Sequence, residues 1–147
     1  MSRIYESAII DAPIEKVWEL VKDFNDLPKW HPAIRESELE GGSNVGCVRH
    51  FFLHDGSELR EKLLGLSDWE HSVTYGMVQS GMKLTNYVSV LRFLPVTDRG
   101  QTFGEWSAFY DDTDASSREE TAAIVHEVFR SGLAALVERF ETGGENG

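Results

Sequence analysis

Two glutamates, Glu61 and Glu105, sit in strand-like segments at positions where alternation turns them toward an apolar face. In 57–66 one face carries Leu59, Glu61 and Leu63 and the other Arg60, Lys62 and Leu64; apolar weight makes the first the interior face. In 101–111 Phe103, Glu105, Ser107 and Phe109 oppose Gly104, Trp106, Ala108 and Tyr110, and the Phe-rich set is expected to face inward. A buried unpaired carboxylate costs several kcal/mol, roughly, and takes up a proton unless something compensates. A desolvated carboxyl with its pKa raised suits a general base. Glu61 or Glu105 is thus a candidate for removing a proton beside a carbonyl, with Tyr87 or His31 polarising that carbonyl. The plainer alternative is an ion pair with Arg49, or satisfaction through water.

The other polar candidates also have two readings. His31, between Trp30 and Pro32 at a helix end, reads on its own as a structural hydrogen-bonder. Tyr87 and Ser89 fit sheet packing and ligand hydrogen bonding equally well. Phe51, Tyr75, Met77, Phe103, Phe109 and Phe129 are ordinary core residues that would become pocket wall if the fold encloses a cavity. Trp18, Trp69 and Trp106 read as structural. His31, His50 and His54 have no spacing that converges them, so no metal site is expected. A P-loop, a dinucleotide fingerprint and a nucleophile elbow are all missing, and no cofactor is expected.

The elements that must position these residues are legible along the chain. Segment 3–10 is strand-like and ends at Asp11-Ala12-Pro13, where Asp11 suits a helix cap and Pro13 a first turn. Ile14, Val17, Trp18, Val21 and Phe24 recur at helical spacing, and a second short helical piece fits 25–30 before Pro32. Turn signals then divide 34–111 into six antiparallel strands: 34–40, 45–53, 57–66, 71–79, 84–95 and 101–111. In 45–53 the faces Arg49, Phe51, Leu53 and Val48, His50, Phe52 are nearly balanced. In 71–79 Val73, Tyr75 and Met77 share a face, as do Tyr87, Ser89, Leu91 and Phe93 in 84–95. Ser116 with Glu119 and Ser117 with Glu120 both fit a capping box for a helix over about 117–141, whose apolar stripe includes Val125, Val128, Phe129 and Leu133 with Gly132 beside it. Residues 143–147 read as a flexible tail after one domain spanning 1–142. This order predicts an α+β fold in which a sheet curls around the last helix.

Composition narrows the functional class. At 147 residues there is room for one core, and 41% hydrophobic with 27% charged residues is ordinary for a folded domain. A net charge of −11 gives no basic footprint for nucleic acid and opposes anionic membrane surfaces. Cys47 is the only cysteine, so neither an internal disulfide nor a thiolate metal site is available. With no export signal and no bilayer-length apolar run, the expectation is a cytoplasmic protein without membrane insertion; monomer and homodimer both remain open.

Val17-Trp18, Asp23-Phe24 and Leu27-Pro28-Lys29-Trp30-His31-Pro32 resemble the opening of the START-like, or SRPBCC, superfamily. Val45-Gly46-Cys47-Val48-Arg49, Glu61-Lys62-Leu63-Leu64 with Ser67-Asp68, Leu84-Thr85-Asn86-Tyr87-Val88-Ser89-Val90 and Glu105-Trp106-Ser107-Ala108-Phe109 extend the likeness over about residues 3–140. It looks closest to the polyketide cyclase/dehydrase-like branch, with a more distant resemblance to the plant abscisic-acid receptors. The resemblance implies a helix-grip fold: seven antiparallel strands around a long C-terminal helix, with two short helices after strand 1. It also implies a hydrophobic-ligand tunnel. By that likeness Phe51, Leu53, Glu61, Tyr75, Met77, Leu84, Tyr87, Ser89 and Glu105 fall on ligand-facing positions. His31 falls where the receptors place a lysine that meets the ligand's carboxylate. Phe103, Ser107, Phe129 and Gly132 complete the candidate lining. The receptors' gate loop is replaced by the shorter His54-Asp55-Gly56-Ser57, their latch reads Met82-Lys83-Leu84, and their pocket asparagine appears as Gly132. Hormone recognition and phosphatase binding therefore do not carry over.

Three functions follow as expectations. The first is a carrier or binder of a polyketide-, lipid- or isoprenoid-like molecule with a polar end. The second is a cofactor-independent cyclase or dehydratase using Glu61 or Glu105 as base. The third is a protein-interaction module with a vestigial cavity.

Overall fold

A computed structural model describes residues 1–143. The buried residues Ile14, Val17, Trp18 and Val21 line one side of helix α1 (Ile14–Val21), so helical spacing translates directly into a packed face. Asp11 does not cap this helix; Pro13 occupies the cap position and no side chain bonds the free amides there. The helix also stops short of Phe24, which opens a separate 3-10 turn (Phe24–Asp26) leading into helix α2 (Leu27–Trp30). The last helix, α3 (Arg118–Gly143), follows a 3-10 turn at Ala115–Ser117. Asp114, rather than Ser116 or Ser117, caps that turn: its Oδ1 accepts from the Ser116 amide at 3.0 Å and from the Ser116 hydroxyl at 2.6 Å. A carboxylate is the stronger acceptor for those amides. The tail expected over 143–147 lies, beyond Gly143, outside the described residues.

Seven strands form one antiparallel sheet: β1 (Ser2–Ile10), β2 (Ile34–Glu40), β3 (Val48–Leu53), β4 (Glu58–Ser67), β5 (Ser72–Gln79), β6 (Leu84–Val96) and β7 (Gln101–Asp112), in the order β1-β7-β6-β5-β4-β3-β2. This is the helix-grip arrangement: α3 packs against β1 and β7 on the inner face, while α1 and α2 close one end. The core lies between them, where Phe93, Trp106 and Tyr110 of the sheet accompany Val125, Phe129, Leu133 and Leu136 of the helix.

Pairing settles the balanced alternation of β3. Arg49 stands opposite Glu61 and Phe51 opposite Leu59, so Arg49, Phe51 and Leu53 share the inner face. On β7 the structure reverses the expectation: Thr102, Gly104, Trp106, Ala108 and Tyr110 face inward and are buried, and Phe103, Glu105, Ser107 and Phe109 face outward. Apolar weight misleads here because the inner face needs small residues. A Cβ on Gly104 would lie 3.0 Å from the Phe93 ring, which fills the space a larger side chain would occupy. The outer face has its own partners. The Tyr5 hydroxyl donates to Glu105 Oε1 at 2.6 Å, Arg92 Nε donates to Oε2 at 3.0 Å, and Arg3 lies over the Tyr5 and Phe109 rings.

Two further local features matter. The β6–β7 register shifts between Thr85 and Val88, and Asn86 sits in the bulge at φ 55°, its amide donating to Asp111 Oδ2 at 3.0 Å. This bulge sets the inward phase that buries Tyr87, Ser89, Leu91 and Phe93. Trp69, expected to be structural, is instead 91% exposed in the β4–β5 turn, where neighbouring Asp68 accepts a hydrogen bond from the buried Trp18.

Candidate functional site

Between the sheet and the N-terminal half of α3 lies a cavity of about 680 Å³. Ile34, Phe51, Leu59, Tyr75, Met77 and Tyr87 line it from the sheet, Val125, Val128 and Phe129 from α3, and Leu27 from α2. Alternation delivers the sheet residues and the i, i+4 stripe delivers the helix residues, so the wall is built from the same patterning that builds the core. The rim comes from the β3–β4 turn (Asp55, Ser57), the start of β4 (Glu58), the β5–β6 turn (Ser80 to Lys83) and the start of α3 (Glu120, Thr121).

Glu61 and Arg49 form the polar floor. Arg49 Nε donates to Glu61 Oε1 at 2.9 Å and Nη2 reaches the same oxygen at 2.8 Å, while Nη1 donates to the Phe24 carbonyl at 3.0 Å. The guanidinium lies over the Phe24 ring at 4.0 Å and the Tyr75 ring at 4.7 Å. Glu61 is only 5% exposed. Burial pushes its carboxyl upward and the Arg49 charge and hydrogen bonds pull it back. The ion pair, one of the two readings open at the start, is the arrangement found for Glu61.

His31 is 1% exposed, and both ring nitrogens are taken by backbone. Nδ1 accepts from the Ala33 amide at 3.1 Å, so Nε2 carries the proton and donates to the Val128 carbonyl at 2.8 Å. Burial depresses its pKa to about 4, against the Val128 bond, with Arg49 adding to the depression. The ring is therefore a neutral clasp joining the end of α2 to α3, and it meets the cavity with carbon. Behind it, Trp106 stacks on Phe129 with centroids 4.8 Å apart and donates from Nε1 to Tyr75 Oη at 2.9 Å and Ser89 Oγ at 3.2 Å. Ser89 is thus engaged beneath the wall and does not line the cavity. Burial pushes the Tyr75 and Tyr87 hydroxyls up, so both stay protonated.

Residues 1–141 match the family described as polyketide cyclase / dehydrase and lipid transport. The chain belongs to that family. Curated relatives of the chain include the abscisic acid receptors PYL7 and PYL10 of Arabidopsis thaliana. They are 27% identical over 132 residues and 29% identical over 135 residues, and the matches cover 86% and 88% of the chain. The matched region spans 63% of PYL7 and 74% of PYL10, so the first receptor is considerably longer. Among solved structures, the protein XoxI from Bacillus cereus superposes with a TM-score of 0.89 at 32% identity, covering 96% of each chain. A protein from Bacillus thuringiensis gives 0.87 at 33% identity, covering 95% of this chain and 99% of the other.

Of the residues singled out from sequence, the cavity brings together His31, Phe51, Leu53, Glu61, Tyr75, Met77, Tyr87 and Phe129. Phe103, Glu105 and Ser107 are on the opposite face of the sheet, so Glu105 takes no part in any chemistry inside. Leu84 packs at the edge of the core without lining the cavity. Gly132 is a packing position: a Cβ there would lie 2.7 Å from the His31 and Trp106 rings. Trp106, Arg49, Thr121, Val125 and Val128 line the cavity without having been expected to. The α3 stripe already contained Val125 and Val128, and the small residues flanking Trp106 were the available signal for its inward face. Among the described residues, no group of three His, Cys, Asp or Glu is placed to hold a metal, and no helix is long and apolar enough to cross a membrane.

Proposed function

We propose that residues 1–142 act as one domain that binds a small, largely apolar molecule with a polar end, polyketide-, lipid- or isoprenoid-like, as a carrier or binding protein. One observation carries this reading: a cavity of about 680 Å³ whose walls are aromatic and aliphatic and whose polar groups are gathered at the floor and rim. That volume and lining fall in the range of small-molecule sites. The lipid-transport description of the family and the receptor names of the plant relatives support the same reading. The catalytic alternative retains only Glu61 as its base, since Glu105 faces away.

Titration with Nile red, a neutral apolar fluorophore, tests the reading. Saturable one-to-one binding is expected, and filling the cavity through Val125→Trp should abolish it while the circular dichroism spectrum is kept. Absence of saturable binding, together with no small molecule in native mass spectra of the freshly purified protein, would defeat it.

A further inference from the structure

Resting on the binding reading above, we propose that the ligand's polar end is a neutral hydroxyl, an alcohol or phenol, which donates its hydrogen bond to Glu61 Oε2. Both contacts from Arg49 fall on the other oxygen, Oε1. Among the described residues no hydrogen bond engages Oε2, although Glu61 is buried and lines the cavity. Burial raises the Glu61 carboxyl's pKa, and the guanidinium charge 2.8–2.9 Å from Oε1 works against that rise; within the ion pair the carboxylate only accepts. An acceptor left open toward an otherwise largely apolar cavity is complementary to a donor brought by the ligand.

The surrounding charges choose among donors and reject anions. Arg49 is committed within the protein: Nε donates to Glu61 Oε1, Nη2 lies 2.8 Å from the same oxygen, and Nη1 donates to the Phe24 carbonyl. His31 is engaged at both nitrogens and holds no charge to offer. A carboxylate ligand would meet the Glu61 carboxylate beside a guanidinium whose charge Glu61 already balances, after passing a rim where Asp55, Glu58 and Glu120 outnumber Lys83. An ammonium would lose its hydration and come to rest beside the Arg49 charge, which shares the same carboxylate. A hydroxyl donates without bringing a charge.

Competition against Nile red with four ligands sharing one apolar body tests this: geraniol, geranyl methyl ether, geranate and geranylammonium. Geraniol is expected to bind at least about tenfold tighter than its methyl ether, as for one hydrogen bond to a charged acceptor, with geranate weakest. In the paired variant Arg49→Met with Glu61→Leu, the alcohol-to-ether ratio should fall to about one. Equal affinity for geraniol and its ether in the native protein overturns the proposal while leaving the cavity reading standing. Tighter binding of geranate or geranylammonium than of geraniol also overturns it. Failure of all four to displace bound Nile red overturns the proposal, and failure of Nile red itself to bind overturns the reading beneath it.

Discussion

Arg49 holds Glu61 through a single carboxylate oxygen, with Nε and Nη2 at 2.9 and 2.8 Å from Oε1, across a directly paired position of β3 and β4. Cross-strand pairing places the two side chains opposite each other, and the Phe24 and Tyr75 rings hold the guanidinium between them. Both charges have left water, so neither tolerates the loss of the other. The pair therefore fixes the geometry of the cavity floor more than it adds stability.

That asymmetry is measurable. Arg49→Met alone leaves an ionisable carboxyl buried without a partner and is expected to cost roughly 3–5 kcal/mol in urea denaturation. Adding Glu61→Leu should recover most of the loss, because an apolar pair of similar volume needs no compensation. A double variant as unstable as the single one would show that the pair contributes net stability.

His31 predicts a specific acid sensitivity. Its folded pKa, about 4, lies below the ordinary 6.5. Between those values the unfolded chain binds more protons, so stability is complete above pH 6.5 and falls as pH drops toward 4. The loss through this window is about 3 kcal/mol if His31 acts alone. Denaturation midpoints measured across the window should show the slope, and His31→Gln should flatten it. An unchanged slope in that variant would assign the acid sensitivity to other groups.

The succession of strands and helices was legible from turn signals and helical spacing, and most of one cavity wall from the alternation on β4, β5 and β6, where Glu61, Tyr75 and Tyr87 each stand among apolar neighbours at the same phase. β7 was not legible, because both of its faces carry aromatics. The inward one is identified by Gly104 yielding space to Phe93, a contact between strands that no single-strand pattern contains. His31 read on its own as a structural hydrogen-bonder, which the structure shows it to be, and only the resemblance gave it a ligand-meeting role. The structural role depends on Val128, 97 residues away, whose carbonyl claims the ring nitrogen that a ligand would otherwise use.

Trp69 offers a sharp contrast with the buried indoles. It is 91% exposed, so Trp69→Ala should change stability by no more than about 0.5 kcal/mol. Its loss should also remove the most red-shifted part of the native tryptophan emission. A cost of several kcal/mol would mean that the turn depends on this indole after all.

Gly132→Ala sets two effects against each other. Alanine favours a helix interior over glycine by about 1 kcal/mol. Against that, the new Cβ would stand 2.7 Å from both the His31 and the Trp106 rings. Neither ring is free to yield: His31 is held by Val128 and Ala33, and Trp106 by Tyr75, Ser89 and its stack on Phe129. Overpacking against such fixed neighbours costs about 1–3 kcal/mol, so the variant should be less stable than the native protein in spite of its better helix propensity. If the His31 ring is the one displaced, its bond to the Val128 carbonyl lengthens and the ring gains access to solvent. The stability slope between pH 6.5 and 4 should then shrink in the same variant. A destabilised variant that keeps the full slope would place the displacement on Trp106 instead, and should then show an altered near-ultraviolet circular dichroism signal from its indole.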